Sequence, residues 1–281
     1  MKTVHKIFTS TGYHLYYTFS NPKIWAALLM MLAAVFLRIE PYAKVAADYN
    51  AKVSVGIISY IFSDSFTVTI VFAALLFLFS ELPFKNPQQV FLITRSGKIP
   101  WCAGQLLYII VTVLAITSIL VLFSICLLIG HLSFDNSWGK VINTAVSNSE
   151  LRDTYLIYDR ISNSAIKSIT PYKALAWSLP CGLLTYIVFG SIIYALNAIS
   201  SRTAGNIGGA ALIALHMLTG YIMKPSFIWF SPLEWSSITI INLNHISEMP
   251  TPEYSICVLL VLYILTIVLS FSQARKKSDI V

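Results

Sequence analysis

The chain has 281 residues, 57% of them hydrophobic and only 11% charged, where a soluble domain carries about 25% charged residues. That balance excludes an ordinary water-soluble enzyme and places the chain among integral membrane proteins. The formal charge of +7 is spread along the chain without one large basic patch, so it reads as a topology signal and gives no support for nucleic-acid binding.

The first element predicted is an interfacial helix over 3–19. Val4, Phe8, Leu15 and Phe19 recur near helical spacing, with Lys2, Lys6 and His14 beside them, the pattern of a helix lying in a membrane surface. Ser20-Asn21-Pro22 breaks it and restarts a helix, so 1–21 forms an elbow into the first of six apolar runs. These run over 22–37, 61–80, 101–129, 177–199, 205–223 and 254–271. Each approaches the ~20 residues a helix needs to cross ~30 Å of hydrocarbon. The first 20 residues hold Lys2, His5 and Lys6 but no apolar core followed by a small-residue cleavage site, so no cleavable signal peptide is expected.

Between the second and third runs lies the most informative stretch, 81–101. Asn86 is placed to cap a helix over 86–97 and Pro87 suits its first turn. Val90, Phe91 and Leu92 give it an apolar side, Arg95 falls in its last turn, and Gly97 can close it before Lys98. Pro100 and Trp101 then open the next run with an interfacial aromatic. A stiff helix of this kind suits a contact that passes force from a partner outside the bilayer.

The segment 130–176 is the longest outside the runs. It mixes Arg152, Asp153, Asp159, Arg160 and Lys167 with Leu151, Tyr155, Leu156, Ile157, Tyr158 and Ile161, too apolar for a linker and too short for a domain of its own. One or two helices are expected there, one starting near Ser149 or Asp153. In the fifth run Gly205 and Gly209, with Gly208, allow close helix approach, against another span of this chain or against a second subunit. After it, Ser231 and Glu234 form a capping box with Pro232 in the first turn. That predicts an outer helix carrying Trp235, Ile238 and Ile241 and dipping into the outer leaflet.

Placing both termini inside puts ten Lys and Arg on the short inner segments and nine on the longer outer ones, with nearly all acids outside. The higher inner density follows the positive-inside rule, and 274–281 becomes a cytosolic tail. The four cysteines, Cys102, Cys126, Cys181 and Cys257, lie in or beside apolar runs without metal-ligand spacing and read as small buried hydrophobes.

Chemistry is sparse. Gly97-Lys98 and Gly139-Lys140 lack the upstream glycine and following hydroxyl of a phosphate loop. The histidines His5, His14, His131, His216 and His245 form no His-Glu-x-x-His. No catalytic or metal site is expected. Asp64, near the outer end of the second run, and His216, mid-way along the fifth, are intramembrane ionisable residues. Such residues invite a functional role, and a structural hydrogen bond is the alternative for each.

Pro83-Phe84, then Arg95-Ser96-Gly97-Lys98, then Trp101-Cys102-Ala103-Gly104-Gln105, set between the elbow and the capped segment at 231–235, resemble the permease subunit of type-2 ABC exporters. The resemblance covers most of the chain as architecture. It implies a single all-α permease domain over 1–281 with six spans, an elbow, a coupling helix and an outer re-entrant helix. It also implies a second permease, identical or homologous, and cytosolic ABC ATPase subunits that hold ATP and magnesium, so this chain binds no cofactor and is not itself an enzyme. The coupling role falls on Pro87, Val90, Phe91, Arg95 and Lys98. The setting implied is a bacterial plasma membrane, and the cargo an amphipathic peptide such as a bacteriocin, or a hydrophobic drug or lipid. The outer segment is longer than in compact drug exporters. The rival reading is a membrane scaffold or sensor-associated protein that binds a ligand through that segment without moving it.

Overall fold

The computed structural model describes residues 2–84, 87–157, 163–200, 203–222, 225–244 and 248–276, the side chains of 2, 87–90, 163–165, 221–222 and 225–226 excepted. The described chain is helical, apart from one short parallel pairing. In chain order come α1 (Lys2–Phe19), α2 (Pro22–Asp48), β1 (Val53–Ser54), the 3-10 segment Val55–Phe62, and α3 (Ser65–Phe79). Then follow α4 (Pro87–Ser96), α5 (Lys98–Leu127), β2 (Leu132–Ser133), α6 (Gly139–Ser147), α7 (Ser149–Tyr155) and α8 (Asn163–Ser168). α9 (Pro171–Ile199), α10 (Ala204–Ile222), the four-residue α11 (Pro225–Ile228), a 3-10 turn Pro232–Glu234 and α12 (Pro252–Lys276) complete it.

Among the described residues α2, α5, α9 and α12 are each long and apolar enough to cross a membrane. The pair formed by the 3-10 segment and α3, bent by 60°, counts as a fifth if taken as one span, and α10 is a shorter apolar helix. The chain is an all-α membrane protein by this measure.

Helix boundaries follow the local chemistry. Asn21 accepts from the Lys23 amide at 3.0 Å and Pro22 occupies the first turn, as the Asn-Pro pair predicts. α2 then outruns its expected end at residue 37, because Ile39, Tyr42, Val45 and Ala46 continue its buried face past Pro41. The second run departs further from expectation. Asp64 caps α3, accepting from the Thr67 amide at 2.8 Å, so the helix starts at Ser65 and its 15 residues span only about 22 Å. The preceding 3-10 segment, buried throughout, meets it at a bend of 60°.

Two ends of the bundle can be told apart by what meets there. At the first, α1 packs on α5 and α4, Lys23 of α2 pairs with Glu81 after α3, and Asn197 of α9 donates to Leu82 O at 2.7 Å while accepting from Gly205 N at 2.7 Å. At the other, β1 pairs with β2, Val53 opposite Leu132. Trp138 donates to Ile169 O at 2.7 Å, and α6 buries Val141, Ile142, Ala145 and Val146. The segment expected to hold one or two helices holds α6, α7 and α8, with Asn148 capping α7 at Ser149. Asp159, Arg160, Tyr158 and Ile161 lie outside the described residues.

The fifth run's glycines face this same chain. A side chain at Gly205 would meet Ile193 O and Asn197 of α9, one at Gly208 would meet Leu196, and one at Gly209 would meet Leu76 of α3. Close backbone approach within one bundle is what small residues permit.

Candidate functional site at the two ends of the bundle

At the first end the α4 helix stands as a short shelf. Its last turn closes when the Gly97 amide donates to Ile93 O at 2.8 Å. Gly97 itself has φ 91°, a left-handed backbone that glycine tolerates best, and this sets the angle at which α5 departs. Ile93 faces the bundle, while Phe91 is 72% exposed and Arg95 is exposed with it. One turn apart, these two share a face and offer an aromatic ring and a cation to the surroundings. Lys98 is half-buried at the start of α5. Asn86 and the Pro87 and Val90 side chains, which the sequence assigns to the same contact, lie outside the described residues.

The shelf rests on α1, and α1 is mounted with its polar side inward. Ser10, Thr11, His14 and Thr18 are buried, whereas Val4, Phe8, Tyr16 and Phe19 are exposed. Thr11 donates to Gly104 O at 3.0 Å and Thr18 to the Tyr108 hydroxyl at 2.9 Å, both on α5. Gly104 leaves room for this crossing, since a side chain there would strike Ser10. The His14 ring stacks on Phe84 at 5.4 Å, with Ser10 Oγ 3.3 Å from its Nε2. Burial lowers the His14 pKa to about 4, so the imidazole is neutral. The outward side thus carries Val4, Phe8, Tyr16 and Phe19 together with His5, Lys6 and Thr9, while the inward side is polar and uncharged.

At the other end the two ionisable residues singled out from the sequence come together. Asp64 accepts from Arg38 Nε of α2 at 2.9 Å and from the Thr67 hydroxyl at 2.8 Å. The adjoining Ser65 carbonyl lies 3.3 Å from His216 Nε2 of α10. The other ring nitrogen, Nδ1, is 2.8 Å from Glu234 Oε1, although it is not aligned as an ideal hydrogen bond. His216 is 1% and Glu234 2% exposed. Thr219 adds a 3.0 Å bond to the same carboxylate oxygen and a 2.8 Å bond to His216 O.

This arrangement corrects the expectation for Ser231 and Glu234. Ser231 makes no capping bond, and only the 3-10 turn Pro232–Glu234 forms. In place of an outer helix dipping into lipid, residues 231–238 are buried in the bundle. Ser236 donates to Phe62 O at 3.1 Å and the Ile238 amide to Ser63 Oγ at 3.0 Å. Trp235 donates to Ile228 O at 3.0 Å, and its own carbonyl accepts from Trp177 at 3.2 Å. The capping box fails because the Glu234 carboxylate finds a buried base across the bundle, a stronger partner than its own turn. Sequence reasoning also missed Arg38 as the partner of Asp64. The signal was present: both charges sit where consecutive apolar runs meet the same end, so a hairpin brings them to one depth.

No protein-family model, no characterised protein and no solved structure matches this chain.

Proposed function

We propose that the chain is the permease subunit of an ATP-driven ABC exporter, with six membrane crossings, both termini cytosolic and ATP hydrolysed by separate subunits. The observation that carries this reading is the α4 shelf, where a ten-residue helix between two apolar elements presents Phe91 and Arg95 while resting on α1 and α5. A rigid helix of this kind transmits displacement to the spans it abuts, as a cytosolic motor requires. On this reading α3, with the 3-10 segment before it, and the shorter α10 are taken as crossings beside the four long helices. The apolar bundle, with its charges confined to paired sites, suits an amphipathic cargo, a peptide first and a hydrophobic drug or lipid next. A second permease completes the pathway, and a bacterial plasma membrane is the setting.

Gentle detergent pull-down of the tagged chain from its native cells tests this directly. An ATP-binding subunit retained by the wild type and lost with Phe91→Asp or Arg95→Glu is the expected outcome, and the complex then shows peptide- or drug-stimulated ATP turnover. A chain that brings down no ATPase, with both variants behaving as wild type, would refute the reading and favour the scaffold or sensor role.

A further inference from the structure

We propose that His216 and Glu234 form a proton-binding site that fastens segment 231–241 to the bundle, and that removing the proton frees the segment. Among the described residues Glu234 is the one buried acid, and the base beside it has an oxygen near each ring nitrogen, the one at Nδ1 close but not aligned as a hydrogen bond. His216 Nε2 faces Ser65 O at 3.3 Å and Nδ1 faces Glu234 Oε1 at 2.8 Å. A neutral imidazole has one N–H and would turn a lone pair towards one of those oxygens. Only the imidazolium has a donor on both nitrogens. We take the loaded site as an imidazolium between a carboxylate and a carbonyl; a neutral Glu234 carboxyl donating to Nδ1 holds the same one proton and the same net charge.

The surroundings leave that one proton to set the charge. From α3 the Asp64 carboxylate faces the site, and Arg38 of α2 balances it at 2.9 Å. From α10 itself comes the neutral Thr219 hydroxyl. α9 presents the Cys181 thiol to Trp235 O and the Tyr186 ring to Phe62, while α12 sets the Tyr254 ring on Trp235. With the proton bound, Arg38, Asp64, His216 and Glu234 sum to zero. Without it, Glu234 is an unpaired buried anion, which a low-dielectric interior penalises heavily.

An open cleft lies on the same side. Arg38 forms part of the wall of this cleft of about 320 Å³, which also includes Glu40, Lys44, Phe66 and Tyr155. Arg38 bonds Asp64, and the carbonyl of the next residue, Ser65, faces His216. What the proton helps to hold is a segment also anchored by buried Leu233, Trp235, Ile238 and Ile241 and by neutral bonds, among them Ser236 to Phe62 O and Ile238 to Ser63. Freed, that segment uncovers the 3-10 segment and the start of α3 beneath it. The site thus ties the far-end opening of the bundle to the acidity of the medium it faces, and it requires no ATPase.

The test uses the full chain alone, reconstituted in lipid nanodiscs, so its failure leaves the exporter reading untouched. Infrared titration over about pH 5 to 9, where a histidine switches, follows imidazolium and carboxylate bands. Hydrogen exchange of 231–241 is followed in parallel and corrected for the chemical rate. Expected is one titration that removes an imidazolium signal and speeds exchange at least tenfold, the equivalent of about one pK unit of coupling. His216→Gln with Glu234→Gln keeps an amide–amide contact without the proton, and exchange in it stays flat with pH. Equal acceleration in the double variant, or a wild-type segment indifferent to pH, overturns the proposal. Should the double variant fail to fold, the absence of a titrating imidazolium in the wild type overturns it equally.

Discussion

At the α4 end, α1 is fastened to α5 by hydroxyls, a glycine carbonyl and an uncharged histidine, with Thr11 on Gly104 and Thr18 on Tyr108, and the ion pair of Lys23 with Glu81 at this end is partly exposed. At the α6 end, the fastening groups are ionisable, with Arg38 paired to Asp64 and His216 beside Glu234 in the interior. The two solutions differ in what they tolerate. A neutral hydrogen bond in an apolar setting gives way in small steps, because each partner lost exposes one dipole. A buried ion pair gives way at once, since removing either member strands a charge. The α4 end is therefore suited to a helix that moves with a partner, and the α6 end to a closure with two states.

The sharpest way to break this contrast is Glu234→Ala. It leaves His216 and Thr219 without their shared acceptor in a site almost closed to solvent, and a loss of about 3–5 kcal/mol is expected. Thermal unfolding in detergent measures it. Adding His216→Ala should recover part of that loss, because the stranded base is gone, and the non-additivity measures the coupling. Strictly additive losses would mean that the two side chains are neighbours without being partners.

Asn197→Ala probes the neutral end. This one side chain joins the loop after α3 to the start of α10, through bonds of 2.7 Å to Leu82 O and from Gly205 N. Losing both leaves a buried carbonyl and a buried amide unpaired, so about 1–3 kcal/mol is expected, with Asn197→Asp recovering only the bond from Gly205. A cost as large as that of Glu234→Ala would remove the distinction between the ends.

The sequence made some of this legible and hid the rest for physical reasons. Local chemistry read correctly: Asn21-Pro22 starts a helix, Gly97 closes one, and Ser149 opens one, because each depends on bonds spanning two to four residues. The α3 boundary failed, since apolar periodicity does not distinguish a buried 3-10 segment from a straight helix; Asp64, weighed as an intramembrane charge, was the cap that marked the break. Segment 231–235 failed more instructively. Ser231 and Glu234 have the spacing of a capping box, but a local rule cannot foresee a base arriving from α10. His216 and Asp64 were each visible alone as costly residues in apolar runs. Their meeting, and the addition of Glu234, exist only in three dimensions.

The smallest effect expected is also the one that tests whether α1 is held by neutrality. His14 is buried, and its pKa lies near 4 against 6.5 for a free imidazole, because burial disfavours the cation. Above about pH 6.5 both docked and undocked α1 carry a neutral ring and the docking energy is constant. As pH falls below that value the undocked helix takes up a proton that the docked helix refuses, so docking weakens. The decline continues until the docked ring protonates as well, near pH 4. By about pH 6 the loss should be on the order of 1 kcal/mol, read as faster hydrogen exchange over residues 3–19 relative to α5. The groups shown facing the ring are Ser10, Tyr13, Phe84 and Tyr108, none of them charged. His14→Phe should keep the stacking on Phe84 and remove the acid sensitivity. An α1 equally protected at pH 5 and pH 7 would mean that this end too is held by something other than neutral contacts.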